Sequence, residues 1–215
     1  MVKLDILADP ACPWCYVGKA YLIRALEQSG DHPFDIEWHP YQINPDLPLS
    51  GVDRAEYLET LFGSREAAAK AHVPLAEHAQ AAGVTFDFEA IKRTPNTRDA
   101  HRLIHWAGLE GRQTPVVHAI FRAYWSEGRD IGQHSVLIDI AEKMGMDPAM
   151  VGRLLASDAD IADIRDRQAH SRKMGVNSVP TFIVDHRYAV QGAQPTEVWI
   201  NVIRELAEQA QTPSN

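Results

Sequence analysis

Apolar and polar residues alternate with two different periods along this chain, and the order of these segments predicts a mixed α/β fold. Residues 3–8 form a short run rich in Leu and Ile, which is typical of a buried strand. Apolar residues recur at helical spacing over residues 16–26, and residues 34–39 then alternate strictly between apolar and polar. The start of the chain therefore predicts a β-α-β unit.

The middle of the chain, residues 53–172, has mostly helical periodicity. Its predicted helices begin at capping residues such as Ser64 and Asp147 and end near glycines such as Gly83 and Gly128. This long segment therefore predicts an all-helical domain.

The end of the chain returns to strand periodicity. Residues 181–185 have the pattern of a strand, residues 188–191 that of its hairpin partner, and residues 197–209 that of a last helix. The end of the chain therefore predicts a β-β-α unit.

The β-α-β start and the β-β-α end together predict the fold class α/β, a thioredoxin-like fold with a large all-helical insertion. The two parts of the thioredoxin-like domain are residues 1–52 and 173–215, and the insertion spans residues 53–172. In this topology we expect the insertion to form a wall or lid over the junction between the first strand and the first helix.

The composition excludes two classes of function. With 45% hydrophobic and 23% charged residues, the 215-residue chain has the balance of a soluble globular protein. Its net charge of -8 argues against nucleic acid as a partner, since phosphate binding needs a clustered basic surface. No apolar run approaches the length of a membrane span, and the first residues lack the pattern of a secretory signal. We therefore expect a cytoplasmic protein without a membrane partner.

Cys12 and Cys15, the two cysteines of the chain, carry the clearest chemistry. In the reducing cytoplasm a C-x-x-C pair is a redox or a metal motif, since structural disulfides are rare there. A zinc site of four cysteines is impossible within one such chain, and nothing in the spacing of the histidines selects another metal site. No metal is therefore predicted.

The position of the pair favours redox chemistry. Cys12 follows the first predicted strand and begins the first helix, with Pro13 at the first helical position. The unpaired N–H groups and the positive dipole end of a helix favour a thiolate at Cys12. We expect Cys12 to attack a disulfide and Cys15, one turn deeper, to resolve the mixed disulfide. Trp14 offers an apolar surface beside the attacking sulfur.

A second segment near the end of the chain supports this site. Pro180 opens the first strand of the closing hairpin, which is where thioredoxin-like folds place a cis proline beside the sulfurs. The backbone of Val179 would then pair with an extended substrate as an added strand. With Pro13 and Trp14, Val179 and Pro180 form the predicted substrate-binding set around the thiols.

Five segments, in order along nearly the whole chain, resemble the DsbA-like oxidoreductases of the FrnE branch. The segments are DPACPWCYVGK (residues 9–19), WHPYQINP (38–45), NT followed by HRL (96–103), VNSVPTF (176–182) and GAQP (192–195). The resemblance implies a thioredoxin fold with an all-helical insertion, disulfide oxidoreductase activity and a cytoplasmic bacterial setting. It also implies that Asn96 and His101 face the active-site groove as its polar wall.

His39 and Gln42, at the end of the second predicted strand and just after it, are two further candidates for the groove. A loop that merely packs against the protein explains both residues equally well. His101 and His105 lie four residues apart on one predicted helix, a spacing that a shared metal allows. One packed and one solvated histidine is the more usual arrangement, so this pair does not change the prediction of no metal.

Related enzymes leave a second function open. The 2-hydroxychromene-2-carboxylate isomerases and kappa-class glutathione transferases resemble this chain in fold, use glutathione, and typically carry serine at the position of Cys12 without the second cysteine. The presence of both cysteines favours the dithiol enzyme, but the groove beside Pro180 still allows the peptide backbone of glutathione. A third function is a binding or chaperone module whose C-x-x-C pair serves as a redox or metal sensor.

The expected partners are thiol and disulfide substrates, either proteins or glutathione. No cofactor is expected apart from glutathione as a redox partner or co-substrate. The sequence leaves open the physiological substrate, the direction of electron flow and the oligomeric state, for which a homodimer is one option. The direction depends on the relative stability of the oxidised and reduced forms, where 30 mV corresponds to about 1.4 kcal/mol for a two-electron couple.

Overall fold

A computed structural model describes residues 1–211 of the chain. The strands are β1 (Val2–Ala8), β2 (Phe34–Pro40), β3 (Val52–Asp53), β4 (Arg93–Thr94), β5 (Thr181–Val184) and β6 (Tyr188–Gln191). The helices are α1 (Pro13–Ser29), α2 (Arg54–Phe62), α3 (Arg65–Ala82), α4 (Arg98–Leu109), α5 (Gln113–Trp125), α6 (His134–Lys143), α7 (Pro148–Leu155), α8 (Ile161–Lys173) and α9 (Thr196–Gln211). Within the described residues, no helix is both long and apolar enough to cross a membrane. The last four residues of the predicted thioredoxin-like part, 212–215, lie outside the described residues.

Four of the strands form a mixed sheet in the order β2-β1-β5-β6. β1 and β2 pair in parallel, with Leu4 opposite Ile36, whereas β5 is antiparallel to both β1 and β6. A parallel pair needs a crossover connection, and α1 supplies it. The predicted α/β class and the thioredoxin-like order of units are confirmed.

The core of the sheet domain lies between the sheet and the helices α1 and α9. Leu4 and Ile6 of β1 are fully buried in the same cluster as Val17 of α1 and Trp199 of α9. α1 ends at Ser29 and is followed by Gly30, whose φ of 68° is a positive value that glycine adopts at little cost. Because β1 and α1 are both packed into this core, the loop between them is fixed at its two ends.

The closing hairpin differs slightly from the predicted one. The strand predicted over residues 181–185 ends at Val184, because Asp185 and His186 turn the chain with φ values of 53° and 55°. The N–H of Arg187 then donates to the Val184 carbonyl at 3.1 Å and closes the turn. The turn residues therefore belong outside the strand.

The segment between β2 and β5 is mostly helical, as predicted, but β3 and β4 form a small antiparallel pair within it. Asp53, Ser64 and Asp147 cap α2, α3 and α7, since their side chains accept hydrogen bonds from N–H groups of the first turn. α5 ends at Trp125, earlier than the stop expected at Gly128. α8 packs against β2, so the last helix of this segment lies on the sheet.

Arg102 of α4 joins two helices of this segment. Its side chain is fully buried, and its guanidinium donates to backbone carbonyls at the end of α7 and just beyond, those of Leu154, Leu155, Ser157 and Ala159. It also pairs with Asp99 at 3.0 Å and lies over the ring of Trp106. The last carbonyls of a helix lack partners within the helix, so Arg102 acts as a C-terminal cap of α7 supplied by α4.

Candidate active site

Cys12 lies at the end of a tight loop between β1 and α1. Its backbone N–H donates to the Asp9 carbonyl at 2.9 Å, and its own carbonyl accepts from the N–H of Cys15 at 3.1 Å. Cys12 is the N-cap of α1, whose first position is a proline. The Trp125 indole donates to the Pro10 carbonyl at 2.8 Å and fixes the loop from the side of the helical segment. The pair therefore stands at a strand-to-helix junction, where the sequence predicts it.

The two thiols are free and differ in exposure. Cys12 is 7% exposed, whereas Cys15 is 1% exposed. Burial, followed by the hydrogen bond with the Cys12 thiol, raises the pKa of Cys15 well above its ordinary value. At neutral pH Cys15 is therefore a neutral thiol, and Cys12 is the sulfur that a substrate reaches first.

Asp9 is a buried carboxyl group beside the thiol pair. Its two oxygens accept from the backbone N–H groups of Ala11 at 3.0 Å and Ile43 at 2.7 Å, and the Thr97 side chain is a third donor. Burial outweighs these hydrogen bonds and raises the pKa of Asp9 to about 6. After burial and the Cys12 contact, Asp9 acts on Cys15 in two ways: a hydrogen bond at its backbone lowers the pKa of Cys15, and its negative charge raises that pKa to a smaller extent. The charge on Asp9 thus opposes thiolate formation at Cys15.

The Val179–Pro180 peptide bond is cis and lies against Cys12. The Cys12 thiol donates to the Val179 carbonyl oxygen at an Sγ–O distance of 3.8 Å. The Pro180 carbonyl accepts from the N–H of Gly192 at 2.8 Å, which ties this bond to the end of the closing hairpin. The predicted cis bond at Pro180 is confirmed, while contact of Val179 and Pro180 with substrate stays a prediction.

Trp14 connects the active-site segment to the helical segment. Trp14 and Pro13 are both half-buried, and the Trp14 ring meets the His78 ring edge to face at a centroid distance of 5.3 Å. His78 belongs to α3, and its Nδ1 is hydrogen-bonded to the Tyr21 hydroxyl at 3.1 Å. The helical segment therefore reaches the residue next to Cys15, as expected for a wall beside the sulfurs.

Gln42 and Asn96 are buried and bonded to each other. The Gln42 side-chain amide donates to Asn96 Oδ1 at 2.9 Å, and Asn96 Nδ2 donates to the Leu47 carbonyl at 2.7 Å. Gln168 of α8 accepts from the Gln42 backbone N–H at 2.7 Å and donates to the Gln42 side chain at 3.3 Å. These contacts hold the loop after β2 against α8 and against the residues that precede α4, which favours the packing interpretation of Gln42. Contact with substrate stays a prediction for both residues.

His101 and His39 lie in different environments. His101 is 2% exposed, and its Nε2 has no hydrogen-bond partner among the described residues. Burial lowers the pKa of His101 to about 3, so the ring is neutral. His39 bonds instead to the Asp5 carboxylate at 3.0 Å, while His105 is half-exposed. A role of His39 or His101 in the groove stays a prediction.

Sequence reasoning did not assign Asp9, Gly18 or His78 to the site. Asp9 and Gly18 stand in the DPACPWCYVGK segment, and a strand-to-helix loop with an acid three residues before the first cysteine was a usable signal. Gly18 faces Pro180 across a short distance. His78 lies in an Ala-rich helix about sixty residues from the cysteines, where no local pattern marks its contact with Trp14.

A comparison with protein families matches nearly the whole chain. The model of the DSBA-like thioredoxin domain covers residues 3–203. This match includes both cysteines, the helical segment and the cis proline. The resemblance to DsbA-like proteins is therefore confirmed at the level of the family, and the finer assignment to the FrnE branch stays a prediction.

Solved structures support the same fold. The probable DsbA oxidoreductase SCO1869 from Streptomyces coelicolor is 28% identical, with a TM-score of 0.86 and coverage of 100% of this chain and 93% of that chain. A 2-hydroxychromene-2-carboxylate isomerase is 19% identical, with a TM-score of 0.74 and coverage of 99% and 100%. The cytosolic disulfide reductase DsbM from Pseudomonas aeruginosa, solved with GSH, is 20% identical, with a TM-score of 0.67 and coverage of 96% and 99%. At these identities the last two show a shared fold.

Proposed function

We propose that this chain, which belongs to the DSBA-like thioredoxin domain family, is a thiol–disulfide oxidoreductase acting on protein or small-molecule disulfides. The observation that carries the proposal is the contact of the Cys12 thiol with two groups, the Cys15 thiol and the Val179 carbonyl. The first contact puts a resolving sulfur within reach of the attacking one. The second marks a backbone edge on which an extended substrate can pair as an added strand.

The proposed reaction consists of two exchanges at Cys12. The Cys12 thiolate attacks one sulfur of the substrate disulfide, which forms a mixed disulfide and releases the other substrate sulfur as a thiolate. The Cys15 thiolate then attacks Cys12 Sγ, which forms the Cys12–Cys15 disulfide and releases the second substrate thiolate. Two electrons pass from the dithiol to the substrate, and the reverse sequence oxidises a substrate dithiol.

The proton of Cys15 must leave before the second exchange. The hydrogen bond between the Cys15 and Cys12 thiols disappears once Cys12 is bound in the mixed disulfide. Asp9 has a pKa of about 6, so it is ionised over much of the neutral range and can accept this proton. The transfer also neutralises the charge on Asp9 that disfavours the Cys15 thiolate. We assign Asp9 the role of proton acceptor for Cys15.

A glutathione-dependent transferase or isomerase is the second candidate, in which Cys12 would hold or activate the glutathione thiol. One feature is compatible with it: a cavity of about 560 Å³ is lined by His78, which contacts Trp14, although neither cysteine lines this cavity. The lining also includes Arg24 and Glu197, charged groups of both signs that suit a zwitterionic peptide. A protein of the same fold, DsbM, was solved with GSH.

The compartment we propose is the cytoplasm. The two cysteines of the chain are spaced C-x-x-C, which in a reducing compartment is typical of a redox pair and not of a structural disulfide. The reduction potential of this pair relative to that of the cellular thiol pool decides the direction of the exchange.

Reduction of insulin disulfides with glutathione as electron donor tests the proposal. We expect turnover by the wild-type protein and none by Cys12→Ser, because the attacking sulfur is absent. Cys15→Ser should instead accumulate a covalent mixed disulfide at Cys12, visible by mass spectrometry under non-reducing conditions. Full activity in Cys12→Ser would contradict the proposal. Conjugation of glutathione to an electrophile at equal rates in wild-type and Cys15→Ser protein, without insulin turnover, would favour the transferase.

A further inference from the structure

We infer that Asp5, Glu37 and His39 form a binding site for a divalent transition-metal ion, with Zn²⁺ as the best match. Asp5 lies on β1, Glu37 and His39 lie on β2, and His186 lies in the turn between β5 and β6. Donor atoms of the first three residues all lie within 4.8 Å of one another. His186 lies outside this group, and its Nδ1 is 3.1 Å from the second oxygen of Asp5.

The strand register explains why these side chains meet. Asp5 is directly opposite Glu37 in the parallel β1–β2 pair, and His39 lies two residues further along β2. Side chains alternate between the two faces of a sheet, so Asp5, Glu37 and His39 share one face. Leu4 and Ile6 point to the opposite face, into the cluster that contains α1 and the cysteines. The site is therefore separate from the thiols.

The distances between donor atoms match the shell of a small metal ion. Asp5 Oδ1 is 3.0 Å from His39 Nε2, and Glu37 Oε1 is 3.9 Å from the same nitrogen. Ligands at about 2.0–2.1 Å from a tetrahedral Zn²⁺ are separated by roughly 3.4 Å. An ion among these atoms would replace the hydrogen bond between His39 and Asp5.

The charged neighbours leave the ligand atoms available. Lys3 Nζ binds Glu37 Oε2 at 2.8 Å and Asp35 at 3.4 Å, so it occupies the Glu37 oxygen that faces away from His39. Lys3 therefore orients Glu37 from outside the ligand set, as residues behind metal ligands commonly do.

The donor set and its exposure select the kind of ion. One imidazole with two carboxylates suits Zn²⁺ and neighbouring first-row ions, whereas Ca²⁺ and Mg²⁺ prefer oxygen ligands alone. The Asp5 side chain is 12% exposed and that of Glu37 is 37% exposed, so the site is deep at one side and open at the other. An ion can enter from solvent and keep a water molecule.

Cobalt binding to untagged full-length protein tests the inference, because Co²⁺ substitutes for Zn²⁺ and absorbs visible light. The titration uses the Cys12→Ser/Cys15→Ser variant, so that thiolates do not bind the metal. We expect saturation at one equivalent, a spectrum without sulfur charge-transfer bands, and a metal-dependent rise in melting temperature. His39→Ala and Glu37→Gln should each weaken binding at least tenfold, while His170→Ala, at an exposed histidine of α8, should bind as the parent does.

Two outcomes would overturn the inference. One is no saturable binding of Co²⁺ or Zn²⁺ by the thiol-free variant. The other is binding that His39→Ala and Glu37→Gln both leave unchanged. Glu37 and His39 are partly exposed, so neither substitution disturbs the core, and circular dichroism of each variant verifies its fold.

Discussion

Gly18 of α1 lies directly against Pro180, the proline of the cis peptide bond. A β-carbon at Gly18 would lie 3.0 Å from Cγ of Pro180 and 3.3 Å from Cα of Ala193. Both distances are shorter than ordinary contacts between carbon atoms, and the Ala193 atom belongs to the backbone. Only a residue without a side chain at this position lets the Val179–Pro180 bond approach the helix that begins at Cys12.

Gly18→Ala should therefore impair the enzyme. The added methyl group displaces the Pro180 segment, so we expect a loss of roughly ten- to a hundredfold in insulin reduction and about 1–3 kcal/mol in the free energy of unfolding. Gly152→Ala in α7 is the matched control, since its β-carbon meets Cδ1 of Ile138 at an ordinary 3.4 Å. It should leave activity unchanged and stability equal or slightly higher. Wild-type activity in Gly18→Ala would refute this role of Gly18.

Arg102→Leu should destabilise the helical segment strongly. The substitution leaves the buried Asp99 without one partner and several carbonyls at the end of α7 without donors. We expect a loss of roughly 3–5 kcal/mol in urea unfolding. Arg122→Leu, which removes an exposed pair with Glu127, is the control and should change stability by less than about 1 kcal/mol. Similar losses in both variants would contradict the account of Arg102.

Asp9 should make the protein less stable as pH rises from about 4 to about 6. Burial raises its pKa from 3.8 to about 6 in the folded protein. Between these values Asp9 is ionised in the unfolded chain but still protonated in the folded protein, so rising pH favours unfolding. The protonated Asp9 therefore contributes roughly 3 kcal/mol to the free energy of unfolding below pH 4, and this contribution is lost above pH 6. Asp9→Asn should lose this part of the pH dependence in urea unfolding between pH 4 and 7. An unchanged pH profile in the variant would show that Asp9 is not held in this state.

His101 should make the protein less stable as pH falls, which is the opposite of the effect of Asp9. Burial lowers its pKa from 6.5 to about 3, so only the unfolded chain takes up the proton at intermediate pH. Stability from the neutral ring is present above pH 6.5 and falls as pH drops toward 3, by on the order of 5 kcal/mol. His101→Leu should flatten this acid limb of the stability profile, whereas His105→Leu, at a half-exposed position on the same helix, should preserve it. Identical acid limbs in the two variants would contradict a neutral buried His101.

The parts of the site that depend on local order were predictable from sequence. Cys12 and Cys15 fall where strand periodicity gives way to helical periodicity, and the adjacent Pro13 fits the first helical position. Pro180 stands at the start of a strand, where the fold class indicates a cis bond. These features follow from neighbours in the chain or from the order of the elements.

The parts that depend on distant partners were not predictable in this way. Gln42 and Asn96 are polar residues near the groove in sequence, yet they bond to each other, and Gln42 bonds to Gln168 of α8. His78 meets Trp14 because α3 packs against α1. Which polar groups pair inside a protein depends on how separate elements pack, and one sequence does not specify that packing by its periodicity.

The central claim is that Cys12 and Cys15 cycle together as a dithiol and a disulfide. Equilibration with mixtures of reduced and oxidised glutathione, followed by alkylation and mass spectrometry, measures this directly. We predict a reversible loss of two hydrogens per chain at a defined glutathione ratio, and a stable glutathione adduct at Cys12 in the Cys15→Ser variant. A wild-type protein that forms a stable adduct at Cys12 while Cys15 stays a thiol at every ratio would contradict the account.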